Sequence, residues 1–197
     1  MSLLIKICGL RDRRHVAVAI EAGAAAIGFV FADSPRRVTP ERARSISGDV
    51  PRSVKRVAVM LHPANDEWQR VLQQLEPDVL QTDAEDFDRL EIPASVERWP
   101  VYREGQSMPD ATGTWVYEGA RSGRGETVDW SAAARLAPSG GMILAGGLDP
   151  ENVAAAIKRV RPSGVDVSSG VESAPGEKDA RLIKEFISAA QAAEKEL

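Results

Sequence analysis

The sequence predicts an α/β fold, a single (β/α)₈ barrel of the TIM type that takes up residues 1–197, and three observations favour it. Short β-branched or apolar runs alternate with alanine-rich segments of helical period, which is typical of parallel strands joined by helices. Eight such runs are present, and eight strands close a barrel. Glycine-rich turns suited to a phosphate follow the last two runs, whereas Cys8-Gly9-Leu10 after the first run lacks the GxGxxG pattern of an open dinucleotide-binding sheet.

The predicted strands are short apolar runs bounded by turn residues. In chain order they are residues 3–7, 26–31, 54–60, 79–81, 98–102, 114–117, 142–145 and 164–167. The predicted helices cover residues 12–22, 40–47, 64–75, 84–90, 131–136, 150–159 and 178–195. Thr39-Pro40 and Asp149-Pro150 each place a capping side chain before a proline, which is a common start of a helix. Residues 103–113, REGQSMPDATG, show no apolar period, so we expect the fifth helix to be absent or degenerate.

The composition limits the classes of partner. With 25 basic and 29 acidic residues and a net charge of −4, the chain has no basic excess for binding nucleic acid or an anionic membrane surface. The longest apolar stretch, residues 22–32, is too short to cross a bilayer, and the first residues lack the apolar region of a secretory signal, so we expect a cytoplasmic protein. One cysteine and two isolated histidines predict neither a disulfide nor a metal site.

Two segments after the last predicted strands suit a bound phosphate. Gly146-Gly147 follows the seventh strand, and Ser168-Ser169-Gly170 follows the eighth. Glycine lets backbone N–H groups approach an anion closely, and serine adds a hydroxyl donor. Either segment alone is more often an ordinary strand-to-helix turn, but the pair occurs where barrels usually bind phosphate. The sequence therefore favours a phosphate site at this edge of the barrel.

Four side chains near strand ends are candidates for chemistry. Cys8 follows the first strand, Glu118 follows the sixth, Asp166 lies near the end of the eighth, and Arg37 lies in the turn after the second. In a barrel such positions lie at the mouth, where catalytic residues gather. Each also has an ordinary alternative, because a buried thiol is commonly a small hydrophobe, a carboxylate can cap a turn, and Arg36-Arg37 can be a solvated surface pair. From position alone, both interpretations stay open.

Five segments in order along nearly the whole chain resemble one family. They are LLIKICGL, AIGFVFADSPRRVTPERA, GRGETVDW, AGGLDPENV and VDVSSGVESAPGEKD, and they look like the signature segments of phosphoribosylanthranilate isomerase. The resemblance implies an isomerase of tryptophan biosynthesis that converts the aminoaldose N-(5-phosphoribosyl)anthranilate into the corresponding aminoketose. This Amadori rearrangement uses no cofactor, and its substrate is a small phosphosugar.

The resemblance also assigns roles to the candidate residues. The base of the family is the cysteine of KICG, which is Cys8 here, and its acid is a carboxylate at the end of strand six. The family usually has aspartate there, so Glu118 takes this role with a side chain one methylene longer. The arginine that pairs with the anthranilate carboxylate corresponds to Arg37, with Arg36 as the adjacent alternative. Asp166 matches an aspartate that contacts the substrate, and the glycine and serine segments match the phosphate loops.

A second departure from the family pattern occurs at strand four. Family members commonly have QLHG where this chain has LQTD at residues 80–83. We interpret the missing histidine as a change in the pocket wall, where the Thr82 hydroxyl still offers one hydrogen bond. Farther along, residues 119–125, GARSGRG, have the small and charged composition of a mobile lid.

Two alternatives stay open. One is a related phosphosugar isomerase barrel, of the histidine-pathway type or with two substrates. Such barrels typically place aspartates at the ends of strands one and five, where this chain has Cys8 and Tyr102-Arg103. The other is a catalytically silent phosphate-binding barrel, which the departure at Glu118 favours. For the oligomeric state, monomer and homodimer are both compatible with the sequence.

Overall fold

Eight parallel strands close into a barrel in the computed structural model, which describes residues 2–106, 113–119 and 127–197. The strands are β1 (Leu4–Cys8), β2 (Ala26–Val30), β3 (Lys55–Val59), β4 (Val79–Asp83), β5 (Glu97–Arg103), β6 (Trp115–Glu118), β7 (Met142–Leu144) and β8 (Gly164–Val167). Each strand pairs in parallel with the next, and β8 pairs with β1 to close the ring. The predicted (β/α)₈ barrel is confirmed, and every predicted strand is present.

Helices cover the outside of the barrel. They are α1 (Arg13–Ala22), α2 (Pro40–Ile46), α3 (Asn65–Leu75), α4 (Trp130–Leu136), α5 (Val153–Val160) and α6 (Ala180–Glu194). Side-chain caps fix where the first two begin, because Asp12 accepts a hydrogen bond from the backbone N–H of His15 and Thr39 accepts one from that of Arg42. The caps therefore set the lengths of the strand-to-helix loops at the barrel mouth.

Three predicted helices differ from the structure. The helix predicted to start at Pro150 begins at Val153, because the Asp149 carboxylate accepts hydrogen bonds from the backbone N–H groups of Glu151 and Asn152 and holds residues 150–152 in a turn. Residues 84–90 form a 3₁₀ helix, Ala84–Asp88, instead of an α-helix. The reason is that the Asp86 carboxylate accepts hydrogen bonds from the backbone of His62 and the hydroxyl of Thr82, which compete with a regular helix. The last helix begins at Ala180 instead of residue 178, because the chain before it forms an unpredicted hairpin of β9 (Glu172–Ala174) and β10 (Glu177–Lys178).

The connections on either side of β6 are described in part. Residues 104–106 and 113–114, between β5 and β6, are not helical. The rest of the segment predicted to lack the fifth helix lies outside the described residues. The predicted lid, residues 119–125, also lies outside them except for Gly119.

Apolar side chains fill both sides of the barrel wall. The pleat sends alternate strand residues inward and outward, and the outward ones pack under the helices with Trp68, Trp115 and Phe186 fully buried. The inward cluster contains Ala26, Val57, Val79, Trp99, Val101, Val116, Ile143 and Ala145. Because this cluster fills the interior, polar side chains that point inward are concentrated toward the mouth. No helix of the described residues is long and apolar enough to cross a membrane.

Candidate active site

A cavity of about 300 Å³ opens at the carboxyl-terminal mouth of the barrel. Its lining comes from the ends of the strands and from the turns that follow them. Predicted site residues in this lining are Cys8, Glu118, Asp166, Gly146, Gly147, Ser168 and Ser169. The structure thus brings the predicted base, acid and phosphate loops to one cavity, which lies where barrel enzymes carry their active sites.

Cys8 is buried at the end of β1, near a lysine that sequence reasoning did not single out. Lys6, two residues earlier on the same face of β1, is fully buried, and its Nζ lies 2.8 Å from Oδ2 of Asp166. Both side chains pass over Gly28 of β2, where a Cβ atom would lie 3.0 Å from the Cys8 Sγ and 3.2 Å from the Lys6 Cε. Glycine at this position therefore leaves room for a thiol beside an ion pair.

Burial and charge oppose each other in this group. Burial raises the pKa of the Cys8 thiol, and the positive charges of Lys6 and Lys178 oppose that rise. Burial likewise raises the pKa of Asp166 against the charge of Lys6. Burial alone would lower the pKa of Lys6, but Asp166 and Cys8 outweigh it and raise that pKa. Lys6 is therefore a cation, and its charge favours the thiolate form of Cys8.

The two adjacent arginines after β2 point to different places. Arg36 is buried and lines the cavity, whereas Arg37 is exposed and lines surface cavities beside α2. The physical reason is that the chain turns between Ser34 and Arg37, where the Arg37 N–H donates to the backbone oxygen of Ser34 at 3.0 Å, and Glu172 binds the Arg36 side chain at the mouth. The structure does not bring Arg37 together with the other predicted residues, and Arg36 replaces it as the candidate for binding a carboxylate.

Two residues of the unpredicted hairpin hold Arg36 in place. Glu172 accepts hydrogen bonds from Nε and Nη2 of Arg36 at 2.8 and 2.9 Å, and another from Nζ of Lys178 at 2.7 Å. The Lys178 Nζ also donates to the backbone oxygen of Ser168 at 2.8 Å. Burial alone would raise the pKa of Glu172, but the hydrogen bonds from Arg36 and Lys178 lower it. Both residues lie in the segment VESAPGEKD, and neither was predicted as a site residue. Their buried charges connect Arg36 to the β8 loop.

Glu118 lies on the opposite side of the mouth, next to an arginine that was not predicted as a site residue. Arg103 of β5 binds Asp83 of β4 through Nη2 at 2.6 Å and Nε at 3.3 Å. Its Nη1 lies 3.6 Å from Oε2 of Glu118. Thr82 is fully buried, donates its hydroxyl to Asp86 and is not part of the cavity lining. The pocket wall at strand four is therefore formed by Gln81 and Asp83 and not by Thr82.

The two predicted phosphate loops require glycine for different structural reasons. Gly146 and Gly147 have φ angles of 90° and 64°, the left-handed region that glycine adopts without strain. At Gly170, a Cβ atom would lie 2.0 Å from the backbone oxygen of Leu148. Gly170 therefore packs the β8 loop against the β7 loop and is not itself part of the cavity lining, while Ser168 and Ser169 are.

Several buried polar atoms of the cavity wall have no hydrogen-bond partner in the described protein. They are Oε1 of Gln81, Nη1 of Arg103 and Oδ1 of Asp166. Buried polar groups are nearly always hydrogen-bonded, so unsatisfied ones mark places where a ligand makes the missing bond. The wall thus offers the acceptors of Gln81 and Asp166 to a polar ligand, whereas Nη1 of Arg103 lies 3.6 Å from Oε2 of Glu118. Within the described ranges, no group of three or more His, Cys, Asp or Glu side chains is arranged to hold a metal ion.

The fold and the mouth define the protein as a (β/α)₈-barrel enzyme with a thiol and a carboxylate facing one cavity. The family model of N-(5'phosphoribosyl)anthranilate (PRA) isomerase matches residues 5–189. The chain belongs to this family, whose members are isomerases of tryptophan biosynthesis. The resemblance found in the sequence segments is confirmed.

Similar proteins cover almost the whole chain. The N-(5'-phosphoribosyl)anthranilate isomerase of Geobacter sulfurreducens is 41% identical, over 93% of this chain and 96% of that relative. Among solved structures, TrpF from Jonesia denitrificans has a TM-score of 0.83 at 33% identity, and 98% of each chain is covered. A phosphoribosyl anthranilate isomerase in complex with reduced 1-(o-carboxyphenylamino)-1-deoxyribulose 5-phosphate has a TM-score of 0.76 at 29% identity, over 97% of this chain and 100% of that chain.

Proposed function

We propose that this chain catalyses the Amadori rearrangement of N-(5-phosphoribosyl)anthranilate to 1-(2-carboxyphenylamino)-1-deoxyribulose 5-phosphate in tryptophan biosynthesis. The observation that carries the proposal is the convergence of Cys8, Glu118 and the loops after β7 and β8 on one cavity. Family membership supports the same conclusion, because the relatives bear the name of this activity.

Glu118 is the proposed general acid and Cys8 the proposed general base. The protonated Glu118 carboxyl gives its proton to the furanose ring oxygen, the bond from C1 to that oxygen breaks, and the nitrogen lone pair forms an iminium. The Cys8 thiolate then removes the proton from C2, and the C2 electrons move to give an enolamine. The enolamine tautomerises to the ketone. Because C2 is oxidised while C1 is reduced within one molecule, the reaction needs no external redox partner.

The cavity wall supplies a place for each end of the substrate. The phosphate binds at the β7 and β8 loops, whose residues Gly147 and Ser169 line the cavity. Arg36, held by Glu172, supplies the positive charge for the anthranilate carboxylate. The unsatisfied Oδ1 of Asp166 accepts a hydrogen bond from a sugar hydroxyl.

The direct test follows the change in anthranilate fluorescence when the purified chain is mixed with N-(5-phosphoribosyl)anthranilate. We expect turnover with this substrate and none with the aminoaldose of the histidine pathway. Turnover of the histidine-pathway substrate alone would replace the proposed activity by that of the related isomerase. Binding of inorganic phosphate with no turnover of either substrate would indicate a silent barrel.

A further inference from the structure

Asp83, Arg103 and Glu118 form a row of charges across β4, β5 and β6 at the mouth. Arg103 and Glu118 are direct partners in the parallel pairing of β5 with β6, and all three side chains line the cavity. Their exposed fractions are only 13%, 14% and 16%. Charges shielded from water to this degree interact more strongly than charges on an open surface.

Asp83 fixes the orientation of the Arg103 guanidinium. Its two carboxylate oxygens accept hydrogen bonds from Nη2 and Nε, the two-bond geometry in which a guanidinium has least freedom. Oδ2 of Asp83 also lies 3.5 Å from Nε2 of His62, so Asp83 is contacted from a second side. The direction of the remaining nitrogen of Arg103, Nη1, is therefore set from strand β4.

Nη1 of Arg103 is directed toward Glu118. It lies 3.6 Å from Oε2, it is buried, and it has no hydrogen-bond partner among the described residues. The distance is that of an ion pair just longer than a hydrogen bond. A glutamate side chain has three rotatable bonds, so its carboxyl can occupy many places unless a neighbour restrains it. The fixed guanidinium of Arg103 beside the carboxyl is a restraint of this kind.

We propose that Arg103 is the positioning residue for Glu118: braced by Asp83, it holds the carboxyl of the acid at the mouth and acts on the reaction through that carboxyl. This inference rests on the proposed function, because it concerns the acid of that reaction. When Glu118 transfers its proton to the ring oxygen, the carboxylate that remains gains a negative charge next to the guanidinium. Arg103 therefore fixes the position of the Glu118 carboxyl before proton transfer and stabilises the Glu118 carboxylate after it.

The test is a double-mutant cycle of Arg103→Met and Glu118→Gln, with kcat and KM measured on N-(5-phosphoribosyl)anthranilate and Kd measured for the reduced product analogue. We expect Arg103→Met to lower kcat about tenfold or more, with KM and Kd changed less than about twofold. In the Glu118→Gln background the same substitution should change kcat less than about twofold, because no acid remains to be positioned. Arg98→Met, at the exposed start of the same strand, is the matched control and should keep the kcat of the wild type.

Two results would overturn the proposal. One is an equal loss of kcat in both backgrounds, and the other is a rise of KM and Kd in both, since either means that Arg103 acts on the substrate directly. If Arg103→Met does not fold, the cycle is repeated with Arg103→Lys, which keeps the charge but not the two-bond geometry of the guanidinium. This variant should lose an intermediate amount of kcat, and only where Glu118 is present. A wild-type chain without turnover of this substrate would refute the proposed function instead, so the two failures are distinguishable.

Discussion

The two walls of the mouth that hold the proposed base and acid are built differently. On the base wall, formed by β8, β1 and β2, Cys8 lies beside a fully buried lysine whose partner Asp166 is on the adjacent strand. On the acid wall, formed by β4, β5 and β6, Glu118 lies beside an arginine anchored near the rim. The position of the base is thus set inside the barrel, and the position of the acid is set by ion pairs at its edge.

This difference predicts different costs of substitution. Removing one partner of a fully buried ion pair leaves an uncompensated charge and costs about 3–5 kcal/mol. The charges of the acid wall are 13–16% exposed, so water solvates a partner that is left behind and the cost in stability is smaller. Substitutions on the base wall should therefore reduce both the stability of the fold and the rate of catalysis. Substitutions on the acid wall should act mainly on the rate.

The largest expected effect is on the acid and base themselves. Cys8→Ser and Glu118→Gln should each lower kcat by about 10²–10⁴-fold, because each removes one proton transfer. Affinity for the reduced product analogue, measured by fluorescence titration, should stay close to that of the wild type in both variants. A variant that keeps kcat within a fewfold of the wild type would remove that residue from the mechanism.

Lys6→Met tests the base wall. It should lower the free energy of unfolding by about 3–5 kcal/mol, as measured in urea, because Asp166 loses its buried partner. The charge of Lys6 opposes the rise that burial causes in the pKa of Cys8, so its removal raises that pKa further. The acidic limb of the kcat/KM profile should therefore move to higher pH.

The control for this prediction is the double variant Lys6→Met with Asp166→Asn. It removes both charges, so much of the lost stability should return. Because the ammonium is still missing, the thiol should still titrate at higher pH than in a variant with Asp166→Asn alone. Identical pH profiles for these two variants would show that Lys6 has no influence on the thiol.

The adjacent arginines after β2 provide a matched pair. Arg36→Met should raise KM by about 10–100-fold, the effect of losing a charged hydrogen bond to the substrate. Arg37→Met should leave KM within about twofold of the wild type, since Arg37 is exposed outside the cavity. The reverse result would restore Arg37 as the residue that binds the carboxylate.

The smallest expected effect concerns Glu172. Its pKa is held below the ordinary value of 4.5 by Arg36 and Lys178, so it adds stability that is present above the unfolded-state pKa and is lost as the pH falls through the folded-state pKa. Glu172→Gln should cost roughly 1–2 kcal/mol in the free energy of unfolding at neutral pH, less than the loss of a whole buried partner, because the glutamine amide oxygen still accepts a hydrogen bond from Arg36 or Lys178. The difference from the wild type should shrink in acid, and a difference that does not change with pH would contradict the ion-pair account. Glu21→Gln, an exposed change on α1, is the control.

Much of the fold could be predicted from sequence because strands and helices are marked by local patterns. Every strand of the barrel followed from a short apolar run, and Cys8 and Glu118 were located because they come at the ends of such runs. Parity was harder. Whether Arg36 or Arg37 faces the mouth depends on the turn that both residues share and on Glu172, a tertiary partner of Arg36 that lies 136 residues away.

The ion pairs around the mouth were beyond sequence reasoning for a related reason. Asp83 and Arg103 are separated by 20 residues, and Arg36 and Glu172 by 136. No local period encodes such pairs, and each charged residue alone resembles a solvated surface residue. Lys6 was the hardest of these residues to predict. A lysine is rarely buried inside a barrel, so its burial could not be predicted without knowledge of its partner Asp166.

The place of the proposed base depends on the absence of a side chain at Gly28. An alanine there would put a methyl group 3.0 Å from the Cys8 sulfur and 3.2 Å from the Lys6 side chain, so one or both would have to shift. The sheet conformation of residue 28 suits alanine, but the methyl group would also lie 3.2 Å from the Cα atom of Cys8, so the backbone of β1 would have to move as well. Gly28→Ala would then lower activity while Cys8, Lys6 and every other reactive group stayed in the sequence. A comparison of catalytic residues alone would not detect such a loss.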